Sequence, residues 1–397
     1  MTPQTDLRTS LRTLPPAAWV LFFGTFLNKF GSFVVPFLAL YLTQRGYTLG
    51  QAGEAIGAYG VGNIFATVIG GYLADHLGRR RTIVLSMFLG SGAMMLLSQA
   101  RGFPEILAFA ALTGLTGELY RPASSALLAD MVPAGQRVTA YSAYRMAINA
   151  GWAFGPATAG FLAGHSYFWL FAGDAASSGL FGLVALVALP EPGGASRGAS
   201  GWRQATRAIL ADGRLHRVLL ASFAVAFVFL QMSSTYGLAV TRLGFSPATY
   251  GALISLNGAL VVLVELPLTT VTRRLPPLQT IAFGYLLIGA GFALNAFAAT
   301  VPALAACVVV FTLGEMCAMP VASAYVAGLS PANMRGRYMG AYGLTWTVAQ
   351  VVGPGLGMRL FAAGPAAFWI AGGLLGLAGA SVAVAGPRPA VALAQDA

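Results

Sequence analysis

Glu118 and Arg121 lie three residues apart inside a long apolar run. On a helix that spacing puts both side chains on one face. Glu315 stands in the middle of another apolar run with no basic residue one turn away. Asp174 lies in a third and Glu265, just before Pro267, in a fourth. Asn28, Lys29 (the single lysine) and Arg145 complete the set. A charge at the centre of a bilayer costs about 2.5 kcal/mol or more, so each of these is a candidate functional group. Glu118, Glu315, Glu265 and Asp174 are the candidate proton-coupling acids; of these Glu315, with no cation one turn away, is the one whose burial without a partner would let it exchange protons near neutral pH. Asn28, Lys29, Arg121 and Arg145, with the aromatics Tyr144, Trp152, Tyr236 and Trp346, are candidates for lining a substrate cavity. Structural readings stand beside these. Glu118 and Arg121 can form a neutralised pair, Glu265 can pair with Arg273 or Arg274, and Lys29 can pair with an acid. Arg145 can close a cytoplasmic salt bridge, and most aromatics in such runs pack helices.

Other chemistries find no residues to carry them. His76, His165 and His216 are scattered, with no metal-ligand spacing. No Gly-x-x-x-x-Gly-Lys-Ser/Thr loop is present, which argues against ATP-driven pumping by this chain alone. The expected energy source is a proton gradient, with no cofactor and no enzymatic role. Cys307 and Cys317 fall on one helix about 15 Å apart, too far for a disulfide.

The elements that must hold these groups are membrane helices. Of 397 residues 57% are apolar and 9% charged, against about 25% charged in a soluble domain. Apolar runs separated by helix breakers predict twelve spans: 17–43, 50–74, 82–100, 104–128, 138–163, 166–189, 216–240, 247–272, 279–299, 302–328, 337–361 and 365–386. The first run is too long for a cleavable leader and continues into a full span. Residues 190–215, rich in Pro, Gly, Ser and Arg, read as a cytoplasmic linker between an N-terminal bundle (1–189) and a C-terminal bundle (216–397).

The net charge of +11 does not point to nucleic acid, because the arginines sit in short loops rather than on one face. Sixteen basic residues fall on one side of the predicted spans. Three (Arg45, Arg101 and Arg242) fall on the other, and four lie within spans. Positive residues stay inside, so both termini are expected in the cytoplasm.

The halves repeat at an offset of 198. Gly46, Gly53, Gly60, Pro122, Arg137, Tyr144 and Gly155-Pro156 recur as Gly244, Gly251, Gly258, Pro320, Arg335, Tyr342 and Gly353-Pro354. Two six-helix bundles related by an axis along the membrane normal follow.

Between spans 2 and 3 the chain reads Gly71-Tyr-Leu-Ala-Asp75-His-Leu-Gly78-Arg79-Arg80-Arg81. This resembles the signature loop of the major facilitator superfamily, and the likeness extends over nearly the whole chain. The resemblance implies a cytoplasmic gate of Gly71, Asp75, Gly78, Arg79 and Arg80, with Asp130 and Arg137 of the loop after span 4 in the same charge network. Gly71 would allow close helix approach, and Gly78 a turn with positive φ. The second copy has decayed, with Arg273, Pro276 and Pro277 in place of Asp75, Gly78 and Arg79. In span 5, Gly151, Gly155, Pro156 and Gly160 are similar to the signature of the drug–proton antiporter branch, where glycine permits close packing and proline bends the helix. An arginine that the branch often carries early in span 4 is Ala110 here, and Arg121 comes later.

The resemblance implies a secondary transporter in a bacterial-type cytoplasmic (inner) membrane, working as a monomer among lipids. It would export lipophilic or cationic small molecules in exchange for protons, by alternating access. Two alternatives remain open at this stage. One is proton-coupled uptake of a sugar, peptide or organic anion, with Lys29, Arg121 and Arg145 forming a cationic cavity. The other is lipid flipping.

Overall fold

A computed structural model describes residues 13–133, 136–191, 202–272, 274–330 and 335–385. The described residues are helical, with no strand among them. We call the end of the molecule that carries Arg45, Arg101 and Arg242 the outer end and the opposite one the inner end.

Span 1 runs as two half-helices, Pro16–Phe30 and Val34–Gln44. Span 2 is Leu49–His76, span 3 Arg79–Gln99, span 5 Arg137–Ala163 and span 6 Phe168–Ala188. Span 4 is divided at Leu119 into Phe103–Glu118 and Tyr120–Met131. Pro122, three residues on, has no amide to give the Glu118 carbonyl, which loosens the helix here, although its repeat partner Pro320 lies inside an unbroken span 10. The Ser86 hydroxyl repairs the gap, donating to the Thr116 carbonyl (2.6 Å) and accepting from the Tyr120 amide (3.1 Å).

A short helix, Trp202–Ala211, falls within the expected linker. Span 7 is Gly213–Leu230, a single turn of tighter helix at Gln231–Ser233, and Thr235–Arg242. Span 8 is Pro247–Thr272, span 9 Pro277–Ala293 with a tighter turn at Leu294–Phe297, and span 10 Val301–Leu329. Spans 11 and 12 are Arg335–Ala363 and Pro365–Val384.

Nine described segments are long and apolar enough to cross a bilayer. Spans 4, 5 and 11 are the other three of the twelve. They carry Glu118 and Arg121, Arg145 and Asn149, and Gln350 and Arg359 respectively, which lowers their apolarity.

The packing repeats with the sequence. In the first half span 1 packs on 5 and 6, span 2 on 4, and span 3 on 4 and 6. In the second half span 7 packs on 11 and 12, span 8 on 10, and span 9 on 10 and 12. The halves meet where span 2 lies on span 11 and span 5 on span 8. Glycines set both seams, because backbones can approach closely only where no Cβ intervenes. Gly60 lies against Gln350 and Val351, and its repeat Gly258 against Trp152 and Ala153, the same two positions 198 residues earlier. Gly46 and Gly244 are a repeat pair with φ of 87° and 88°.

Candidate functional site

Gly53, Gly57 and Gly60 hold span 2 against Gly355, Val351 and Gln350 on the outer half of the seam. Gly160 and Gly251 do the same for spans 5 and 8. Toward the inner end spans 2 and 11 separate. Nothing lies within 4 Å of where a side chain at Gly71, Gly340 or Gly343 would begin. Between the halves, below the outer seal, is a cavity of about 460 Å³.

Its two walls differ in chemistry. From the first half come Asn28 and Lys29 (span 1), Tyr59 and Asn63 (span 2), Glu118 and Arg121 (span 4), Asn149 and Trp152 (span 5), and Asp174 and Ser178 (span 6). The second half supplies mainly apolar surface: Phe229, Leu230, Met232, Ile254, Val261 and Phe311. Ser233, Asn257, Glu315 and Gln350 are the polar groups set into it.

The charges are arranged in three groups. Lys29 Nζ lies 3.1 Å from Glu118 Oε1, and Arg121 Nη1 lies 3.5 Å from Glu118 Oε2. The Tyr59 hydroxyl donates to Glu118 Oε1 at 3.4 Å. Lys29 also stands over the Tyr120 ring, 5.5 Å from its centre. Lys29 and Glu118 are buried, whereas the Arg121 side chain is 59% accessible and faces the cavity. Asp174 is buried on span 6, and its Oδ2 accepts from the Val34 amide at 3.3 Å. Glu315 stands apart on the second half. Its Oε2 accepts from Asn257 Nδ2 at 2.7 Å, and the same amide reaches Thr312 Oγ1 at 2.9 Å. Fully ionised, this lining carries two cations (Lys29, Arg121) and three anions (Glu118, Asp174, Glu315), a formal charge of −1. Both cations pair with Glu118, which leaves two carboxylates without a cation: Asp174 on the first-half wall and Glu315, held by a neutral amide, on the second.

The structure therefore brings together Asn28, Lys29, Glu118, Arg121, Trp152, Asp174 and Glu315 of the expected residues. It places five others elsewhere. Tyr144 is buried in the first-half core against Phe22, and Tyr236 is enclosed between Tyr250 and Trp369. Trp346 packs edge-on against Phe229, behind the wall rather than in it. Arg145 and Glu265 bridge spans 5 and 8 toward the inner end at 3.1 Å, so Glu265 takes Arg145 rather than Arg274, and Arg273 lies outside the described residues. Tyr59, Asn63, Asn149, Ser178, Asn257 and Gln350 were not singled out from the sequence. The legible signal was an amide, hydroxyl or phenol inside an apolar run, which charge-based reading passes over.

The expected gate residues behave unevenly. Gly78 has φ +106°, as a turn there requires. Gly71 makes no close approach; its neighbour Gly70 does, against Leu119 and Pro122 of span 4. Asp130 pairs with buried Arg79 (3.2 Å), which also donates to the Ala74 carbonyl, so this contact braces spans 2, 3 and 4 of one half. Arg80 lies 4.0 Å from Glu191, a partner the sequence did not suggest. The side chains of Asp75 and Arg137 lie outside the described residues. In span 5, Gly151 and Gly155 sit on the backbone of Lys29 and Phe30, and the Pro156 carbonyl and Gly160 on Gly251.

A family model described as the Major Facilitator Superfamily matches residues 21–294 and 236–396. A Na(+), Li(+), K(+)/H(+) antiporter of Planococcus maritimus is 27% identical over 364 residues, 83% of this chain and 85% of the relative. The multidrug resistance protein MdtH of Aeromonas salmonicida is 27% identical over 328 residues, 81% and 82% respectively. Among solved structures, a peptide transporter POT in complex with sulfate superposes with a TM-score of 0.77 at 18% identity, covering 96% of each chain. At that identity the likeness speaks to the fold.

Proposed function

The chain belongs to the Major Facilitator Superfamily, a multi-pass bacterial membrane transporter, and from that premise we infer that it exports lipophilic, cationic small molecules in exchange for protons. The observation that carries this reading is the second-half wall of the cavity. Glu315 with its neutral partner Asn257 is set among Phe229, Phe311, Ile254 and Val261. An apolar wall holding one uncompensated carboxylate suits a ligand with an apolar body and one positive charge. The names of MdtH and of the cation/proton antiporter are in keeping with it.

In this reading deprotonated Glu315 attracts the cation from the inner side, where spans 2 and 11 stand apart. The halves then rock about the cavity, and a proton from outside displaces the cargo. One unit of pH difference supplies about 1.4 kcal/mol per proton. A potential of 100 mV adds about 2.3 kcal/mol per net charge moved. The arginine distribution supports placing both termini on the cytoplasmic side.

Proteoliposomes with an imposed pH gradient and a lipophilic cationic dye test this. Substrate should release protons in the wild type and not in Glu315→Gln. Dye export indifferent to both pH and voltage would defeat the reading. Proton release on adding sodium or potassium, with none on adding dye, would point instead to alkali-cation exchange at the same carboxylate.

A further inference from the structure

Span 1 is interrupted at Gly31–Phe33, beside the cavity. The interruption is cradled by one stretch of span 6. Gly173 lies under the Phe33 ring, Ser177 against Gly31, and Ser178 accepts from Asn28 at 3.1 Å. Asp174, 6% accessible, accepts from the Val34 amide at 3.3 Å. Val34 begins the outer half-helix of span 1, so a buried carboxylate caps an otherwise orphaned helix N-terminus. That half-helix is part of the outer seal. Phe37 packs edge-on against Tyr250 of span 8, and the Tyr250 hydroxyl donates to the Pro36 carbonyl (3.2 Å).

The repeat supplies an internal comparison. Span 7 is interrupted at Gln231–Ser234, and Gln231 is Phe33 plus 198. There the break is held by a neutral group. Gln231 Nε2 donates to the Gly353 carbonyl (3.0 Å), and its Oε1 accepts from Thr235 Oγ1 (2.7 Å). The position equivalent to Asp174 is Gly372, packed under the Phe292 ring. The two breaks meet at one repeat position, Phe33 and Gln231, and differ in chemistry: one is fastened by an acid, the other by an amide.

We propose that Asp174 is a proton-operated clasp on the span 1 break, whose carboxylate pins the outer half-helix and whose protonation from the cavity lets it move. The claim goes beyond the exchange reading above: it concerns what holds the outer half-helix of span 1, and it does not depend on the direction in which protons are carried. The proton adds to the Asp174 carboxylate. The neutral acid no longer offers full charge to the helix N-terminus, and the Val34 N–H loses a charge-assisted bond. The ionisable groups facing Asp174 are Lys29 of span 1, Tyr59 of span 2 and Glu118 of span 4 with its partner Arg121. Glu118 already engages Lys29 and Arg121, which leaves Asp174 without an ion-pair partner of its own among the described residues.

The test is a distance measurement on the full chain in nanodiscs, with spin labels at Gln44 and Leu243, exposed at the outer ends of spans 1 and 7. In the wild type, acidification should add a longer component to the distribution. Asp174→Asn keeps a hydrogen-bond acceptor but cannot titrate, and should lose the pH response; Asp174→Glu should restore it. A full wild-type pH response in Asp174→Asn overturns the proposal. Glu315→Gln should keep the response while losing coupled transport, so failure of the transport reading is distinguishable from failure of the clasp.

A measurement without substitutions guards against misfolding. Amide exchange, corrected for its intrinsic pH dependence, should rise on acidification over 33–37 and stay level over 231–236. Equal responses at the two breaks would also overturn the claim.

Discussion

At the scale of single residues, the Lys29–Glu118–Arg121 cluster combines two readings the sequence left apart. Glu118 and Arg121 pair along span 4, as their spacing allows, while Lys29 arrives from span 1 on the other carboxylate oxygen. The side chains of Lys29 and Glu118 are each 10% accessible, so removing one leaves the other buried without its main partner. Breaking such a buried pair costs roughly 3 kcal/mol or more. Lys29→Met should therefore lower the melting temperature in detergent, and adding Glu118→Gln should recover most of the loss. If the double substitution is as unstable as the sum of the single ones, the pair is not coupled. The participants were legible as charges in apolar runs. Which acid meets which base was not, because that depends on how three spans are rotated against each other. Asn257 shows the other limit: it steers Glu315 from a neighbouring span, and nothing in the spacing of 257 and 315 announces it.

At the scale of helices, the glycines divide into those that permit a seam and those that do not touch one. A methyl at Gly258 would stand 2.5 Å from the Ala153 Cα, a backbone atom that cannot yield without moving the helix. A methyl at Gly71 meets nothing within 4 Å. Gly258→Ala should thus open the outer seal and raise labelling of a cysteine introduced there by Phe37→Cys, and Gly71→Ala should leave that labelling unchanged. Equal effects would contradict the seam assignment. The repeat at 198 residues made the twin seams foreseeable, since Gly60 and Gly258 recur in register. The role of Gly71 was not foreseeable from its motif, because the motif does not say which face of span 2 meets the other half in this conformation. Gly70, one residue away and turned by about 100°, has the close contact instead.

For the whole molecule, two described ion pairs cross between the halves, at opposite ends. Glu54 meets Arg359 (2.9 Å) toward the outer end of spans 2 and 11, and Arg145 meets Glu265 (3.1 Å) toward the inner end of spans 5 and 8. All four side chains except Glu265 are substantially exposed, so each pair contributes under about 1 kcal/mol. That is small against folding and large for a balance between two states of similar energy, where it shifts populations up to roughly fivefold. Glu54→Gln should move the equilibrium toward outer opening and Arg145→Gln toward inner opening, read as changes in spin-label distances across each end. Shifts of the same sign would refute the opposition. What the amino-acid sequence determined by itself was the membrane, the twelve spans, the repeat and the roster of embedded charges. Apolar length and positional register are properties of one chain read in order, and hydration energy acts on them run by run. What only the tertiary structure decided was the pairing of those charges, the closed outer seal and the two unlike walls of the cavity. These arise where helices far apart in sequence present particular faces to one another, and rotation of a span by a single residue would exchange them.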